Sequence, residues 1–129
     1  MSYTIRAIIE VMGKPQEHVE QVMKQVVENL KKEPETEVIQ SHIAPTEKAK
    51  AEIFSTFAEV EVKLTTLNRL NHFCFHYLPS SIEILDTDKI TLTARELSGT
   101  LNDILTRLHK YNILVTNLHA ENAKLKEDQ

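Results

Sequence analysis

The sequence predicts an α+β protein: a ferredoxin-like head with the element order β-α-β-β-α-β in one antiparallel sheet, then a long C-terminal coiled-coil helix. Three observations carry that expectation. Residues 3–12 and 52–64 alternate apolar and polar side chains with the period of two that half-buried strands show. Residues 16–32 and 66–77 space their apolar side chains three and four apart, the period of a helix with one buried face. From Leu97 onward, large side chains recur at steps of four and three as far as Leu125. The expected division is a head over residues 1–89 and a helix over 90–129.

In the first strand Tyr3, Ile5, Ala7, Ile9 and Val11 point one way, and Thr4, Arg6, Ile8 and Glu10 the other. Gly13 ends it, and Pro15 suits the start of a helix. Val19, Val22, Met23, Val26, Val27 and Leu30 then form the buried stripe of that helix. Glu17 and Glu20 near its start and Lys31 and Lys32 at its end suit the macrodipole, and Pro34 stops it. Residues 36–44 read as an edge strand, because adjacent Val38 and Ile39 and polar Gln40 and His42 dilute the alternation. Residues 45–50 are polar and read as a loop or a single helical turn.

The third strand spans 52–64, with Phe54, Thr56, Ala58, Val60, Val62 and Leu64 inward and Ser55, Phe57, Glu59, Glu61 and Lys63 outward. It pairs with the edge strand as an antiparallel hairpin. Thr65 or Thr66 caps the next helix, whose face of Leu67, Leu70, Phe73, Cys74 and Tyr77 ends at Leu78-Pro79. Ile82, Ile84 and Leu85 make a short fourth strand, giving a four-stranded sheet with two helices on one face. Ile8, Phe57 and Leu85 are the expected apolar spots on the other face. Thr93 with Glu96 three residues later is a capping box that opens the last helix.

In that helix Leu97, Ile104, Tyr111, Leu118 and Leu125 occupy d positions, and Leu101, Leu108, Val115 and Asn122 occupy a positions. These nine residues are the candidate interface. A stripe this long exceeds what a small head can cover, which points to a homodimer or a higher homo-oligomer; folding back over the open sheet face is the rival arrangement. In a parallel pair Glu121 at g faces Lys126 at e, an attraction that favours parallel over antiparallel pairing. Asn122 either sets register or marks where the helix frays. Leu105 at e and Leu114 at g widen the stripe beyond a strict seam, which favours burial on more than one neighbour.

Composition excludes several classes. A formal net charge of −4 and 5% aromatic residues argue against general affinity for nucleic acid or anionic membranes. No apolar run is long enough for a membrane span, and no signal-peptide pattern precedes the first strand. One cysteine, Cys74, permits no internal disulfide and fits a reducing cytoplasm, the expected compartment. Two glycines in the whole chain leave no glycine-rich phosphate loop.

The chemical inventory is thin. His72 and His76 share a helix face at metal-ligand spacing, but Cys74 turns toward the apolar stripe and His18, His42, His109 and His119 are scattered. A buried thiol and two outward imidazoles fit better than a metal site. Cys74 also lies late in its helix among Phe73, Phe75 and Tyr77, the wrong setting for a thiolate nucleophile. Glu59 and Glu61 share an outer strand face, as solvated carboxylates commonly do. No catalytic residue, cofactor or metal is expected.

Glu10-Val-Met-Gly-Lys-Pro15 and Tyr77-Leu-Pro-Ser-Ser-Ile-Glu-Ile-Leu85 resemble small archaeal proteins of uncharacterised function. The resemblance spans most of the chain and implies a cytosolic prokaryotic protein without implying an activity. The expected function is a non-enzymatic assembly or adaptor module that self-associates through its C-terminal helix and docks another macromolecule. A small-ligand-sensing regulatory domain is the alternative. RNA or ribosome association is a third, conditional on Arg6, Lys48, Lys50, Arg69, Arg95 and Arg107 gathering into one patch.

Overall fold

The computed structural model describes residues 2–127. It is α+β, with an antiparallel five-stranded sheet and a long C-terminal helix. The elements run β1 (Tyr3–Gly13), α1 (Gln16–Lys31), β2 (Thr36–Ile43), β3 (Glu47–Lys50), β4 (Ile53–Leu64), α2 (Leu67–Tyr77), β5 (Ser81–Ile84) and α3 (Ala94–Glu127). The chain divides between Ile90 and Thr91 into two compact units. All strands belong to the first, the head; α3 belongs to the second.

Alternation along β1 and β4 decides which face of the sheet is buried. The two strands pair from Tyr3 opposite Leu64 to Gly13 opposite Phe54. This register stacks Ile5, Ala7 and Ile9 beside Val62, Val60 and Ala58 on one face. Helix α1 lays Met23, Val27 and Leu30 on that face, and α2 adds Phe73. These residues form one buried cluster, with Val38, Leu70, Cys74, Tyr77 and Ile84 packed around it. The core thus sits between the sheet and its two helices, and burial of apolar surface there supplies the head's main driving force.

The order across the sheet is β2-β4-β1-β5, with β3 also paired to β4. Every pairing is antiparallel. Two sequence expectations change here. The sheet has five strands rather than four, and Glu47–Lys50 is a strand rather than a loop or helical turn. Strands β2 and β3 lie along the same edge of β4, one against Ala58–Leu64 and the other against Ile53–Ser55. Between them stand Ala44, whose N–H donates to Phe57 O at 2.8 Å, and Pro45, which has no N–H to give. Buried Thr56 ties the same junction by donating its hydroxyl to Ala44 O at 3.1 Å.

The irregular pattern of β2 also has a cause. Its register with β4 shifts between Val38 and Gln40, so Ile39 is the extra residue of a bulge and half of it is exposed. Beyond the bulge Gln40 stands opposite Glu61 and His42 opposite Glu59, on the face away from the core. As expected from the sequence, β2 lies at the sheet edge; of the two candidate caps, Thr66 is the one that caps α2, accepting from the Arg69 N–H at 3.1 Å.

Phe73 is the largest fully buried side chain and the main contribution of α2 to the core. Phe73→Ala is expected to destabilise the head by about 3–5 kcal/mol, the range for emptying an aromatic core site. Urea unfolding followed by circular dichroism measures it; a loss below 1 kcal/mol would show that α2 is not held through this contact.

Candidate functional site

Helix α3 starts where the capping box places it. The Glu96 N–H donates to Thr93 Oγ1 at 3.1 Å, and the Thr93 N–H donates to Glu96 Oε1 at 3.2 Å. Its 34 residues give a length of roughly 50 Å at 1.5 Å per residue. Outside the stripe several side chains bond within the helix. Arg107 Nε donates to Asp103 Oδ2 at 3.1 Å, and the Thr106 and Thr116 hydroxyls bond back to the carbonyls of Asn102 and Asn112.

The helix brings Leu97, Leu101, Ile104, Leu108, Tyr111, Val115, Leu118, Asn122 and Leu125 onto one continuous stripe. No described residue of α3 is buried. Ile104 is half-buried, Asn122 is exposed, and the other seven expose 46–61% of their surface. Leu105, Ile113 and Leu114, outside the a and d positions, are exposed too. A single apolar residue on a surface is ordinary, but a row of this length is a candidate interaction surface.

The head offers a second candidate, the sheet face away from the helices. At its centre Arg6 reaches carboxylates on two neighbouring strands: Glu59 at 3.1 Å, Glu61 at 3.2 Å and Glu83 at 3.4 Å. The contact to Glu59 is ionic, since Arg6 Nε lacks hydrogen-bond alignment. Three carboxylates around one guanidinium leave the patch acidic. Ile8 and Phe57 meet nearby with His42, Ala44, Glu59 and Ser80 around a shallow concavity of about 330 Å³. Leu85 does not line it. Ser80 closes the connection from α2 to β5, its N–H and hydroxyl both donating to Ile8 O.

On the helical side Glu33 draws together residues that the sequence reading did not link. Arg69 Nη2 donates to Glu33 Oε2 and the Tyr77 hydroxyl to Glu33 Oε1, each at 2.9 Å, and His72 Nε2 lies 3.6 Å from Oε2. Burial opposes ionisation of Glu33, but the Tyr77 hydrogen bond, the charge of His72 and the Arg69 hydrogen bond and charge outweigh it. The carboxyl is held below its ordinary range. Burial, then the bond to Glu33, pushes the Tyr77 hydroxyl well above its own. The arrangement pins the chain after α1 to one side of α2.

His72 stacks on His76 with ring centroids 5.2 Å apart and faces Glu33, so it is not simply an outward imidazole. Among the described residues no group of three or more His, Cys, Asp or Glu is placed to hold a metal ion. Burial pushes the Cys74 thiol up, away from a reactive thiolate. Within the head, Arg6 is held among carboxylates on the open face, and Arg69 is held by Glu33 on the opposite, helical side. No helix among the described residues is long and apolar enough to cross a membrane.

Comparison with known proteins adds one result. Residues 4–128 match the profile of the MJ0538 family. The chain belongs to the MJ0538 family. That family takes its name from a protein of the archaeon Methanocaldococcus jannaschii and is uncharacterised, so membership adds no mechanism to this site. No curated protein and no solved structure matches this MJ0538-family chain.

The Glu33 cluster has a pH signature. With its folded pKa below its unfolded value, Glu33 contributes stability that is fully present above the unfolded value and lost as pH falls through the folded one. Glu33→Gln is expected to cost about 1.5–3 kcal/mol at pH 7, the range for hydrogen bonds to charged groups. The difference from the unmodified chain should shrink as pH falls from about 5 toward 3. Urea midpoints across that range measure it; a gap that stays constant would remove the carboxylate from the explanation.

Proposed function

We propose that this chain is a non-enzymatic assembly or adaptor module that self-associates through α3 and uses the open sheet face of its head to dock another macromolecule. One observation carries the reading: a 34-residue helix carries a heptad stripe of which no residue is buried. In proteins most helical stability comes from packing of an amphipathic face rather than from intrinsic propensity. A second copy supplies a self-complementary cover, with a and d side chains interdigitating. In parallel register Glu121 of one copy meets Lys126 of the other, a pairing that supports parallel over antiparallel association.

The head is read as the ferredoxin-like arrangement with its second strand interrupted at Ala44-Pro45-Thr46. Support comes from the antiparallel order β2-β4-β1-β5, with β3 continuing β2 along the same edge of β4. Its acidic open face around Arg6, Glu59, Glu61 and Glu83 suits a docking partner with a cationic surface. Neither a cofactor nor a metal enters this reading.

A second reading, a small-ligand-sensing domain, has the concavity of about 330 Å³ at Ile8, His42, Phe57 and Ser80 in its favour. Its size is near the lower end for small-molecule sites. RNA association has the least support, because Arg6 and Arg69 are each paired with carboxylates on opposite sides of the sheet.

Leu108→Glu tests the preferred reading. Burying an unpaired carboxylate at an a position costs several kcal/mol, so the variant is expected to fall to single-chain mass in light scattering coupled to size exclusion. Lys110→Glu, at an outward c position, should keep the parental mass. A Leu108→Glu chain that also keeps it would overturn the coiled-coil reading and leave the concavity of the head as the site to pursue.

A further inference from the structure

We infer that α3 joins four copies of this chain, as two parallel pairs held together through the segment Leu97–Leu114 in the N-terminal part of the helix. The inference rests on the self-association reading above and specifies its partner as a second pair of the same chain.

The width of the stripe is the first ground. Leu105 at e and Leu114 at g are 62% and 55% exposed, as open to solvent as the seam itself. Through positions g, d, a and e the apolar arc covers roughly 160° of the helix, at about 100° per residue. A two-stranded seam buries a and d and leaves e and g at its rim, whereas a helix in a bundle carries apolar residues at e or g as well. Two strands would leave Leu105 and Leu114 at the water-facing rim.

The second ground is independent and concerns residue type along the seam. Leu101 and Leu108 at a flank Ile104 at d, and leucine at a with isoleucine at d shifts preference from two strands toward three or four. Further on the pattern changes: Val115 and Asn122 at a, with Leu118 and Leu125 at d, suit two strands. Charges follow the same division. In a parallel pair, Thr100 would face Leu105, Arg107 would face Asn112 and Leu114 would face His119, so no carboxylate meets a cation in the first half. Glu121 and Lys126, in the second half, form an opposite-charge pair. The C-terminal half is therefore suited to pairing, and the N-terminal half to joining pairs. Two isologous pairs closing on each other give four copies, a common closed symmetry for soluble proteins.

Sedimentation equilibrium on the full chain tests this. The unmodified chain should have the mass of four copies. A Leu105→Ser, Leu114→Gln chain should have the mass of two, and Leu105→Met, Leu114→Met should retain four, with helicity by circular dichroism matched across all three. A two-copy mass for the unmodified chain overturns the four-copy inference and leaves self-association standing. A single-copy mass overturns both. A three-copy mass, or a four-copy mass that survives Leu105→Ser, Leu114→Gln, overturns the assignment of e and g residues to the contact between pairs.

Discussion

A row of leucine-sized side chains roughly 40 Å long cannot be left in water without cost, and the proposed organisation of this protein follows from that constraint. Within the head, the sheet, α1 and α2 bury their apolar faces on each other and close a core. Helix α3 does no such thing: no described residue along it is buried. Its cap, its local hydrogen bonds and its Asp103–Arg107 pair favour the helical backbone but leave the stripe uncovered. The proposed association of copies would cover the stripe with a surface that the chain already has.

The head divides its chemistry between two sheet faces in the same physical terms. Period-two alternation sends Ile5, Ala7 and Ile9 to the core and Arg6 and Ile8 to the other side. On that other side the Arg6 guanidinium is outnumbered by Glu59, Glu61 and Glu83, so two such faces would repel one another. Under the proposed assembly through α3, this face would be left for a different, cationic partner. The Glu33 cluster, by contrast, is a tether: Arg69, His72 and Tyr77 hold the segment after α1 against α2.

Much of this was legible in the sequence where side chains carry the signal. The periods of β1, α1, β4 and α2 follow from burial of one face, and the Thr93–Glu96 box fixes the start of α3 through a spacing of three. Strand β3 was not legible, because Glu-Lys-Ala-Lys at a sheet edge is held by backbone hydrogen bonds and buries no side chain. The bulge at Ile39 shifted the register of β2 and hid its alternation. Glu33 could not be matched with Arg69, His72 and Tyr77 because they lie more than thirty residues apart in sequence and meet only once α1 and α2 share a face of the sheet. The candidate interface was legible as a stripe, since a helix converts heptad spacing directly into a face.

The most direct measurement is disulfide trapping at the seam. In the full chain with Cys74 replaced by serine, Val115→Cys places a thiol at an a position, where parallel copies bring the same residue together. A disulfide forms only when Cα atoms come within about 7 Å, so it reports apposition itself. Mild oxidation is expected to give a covalent pair in high yield from Val115→Cys and little from Thr116→Cys, one residue round the helix at an outward position. Absence of the covalent pair, or equal yields from the two positions, would contradict a parallel seam between copies of α3.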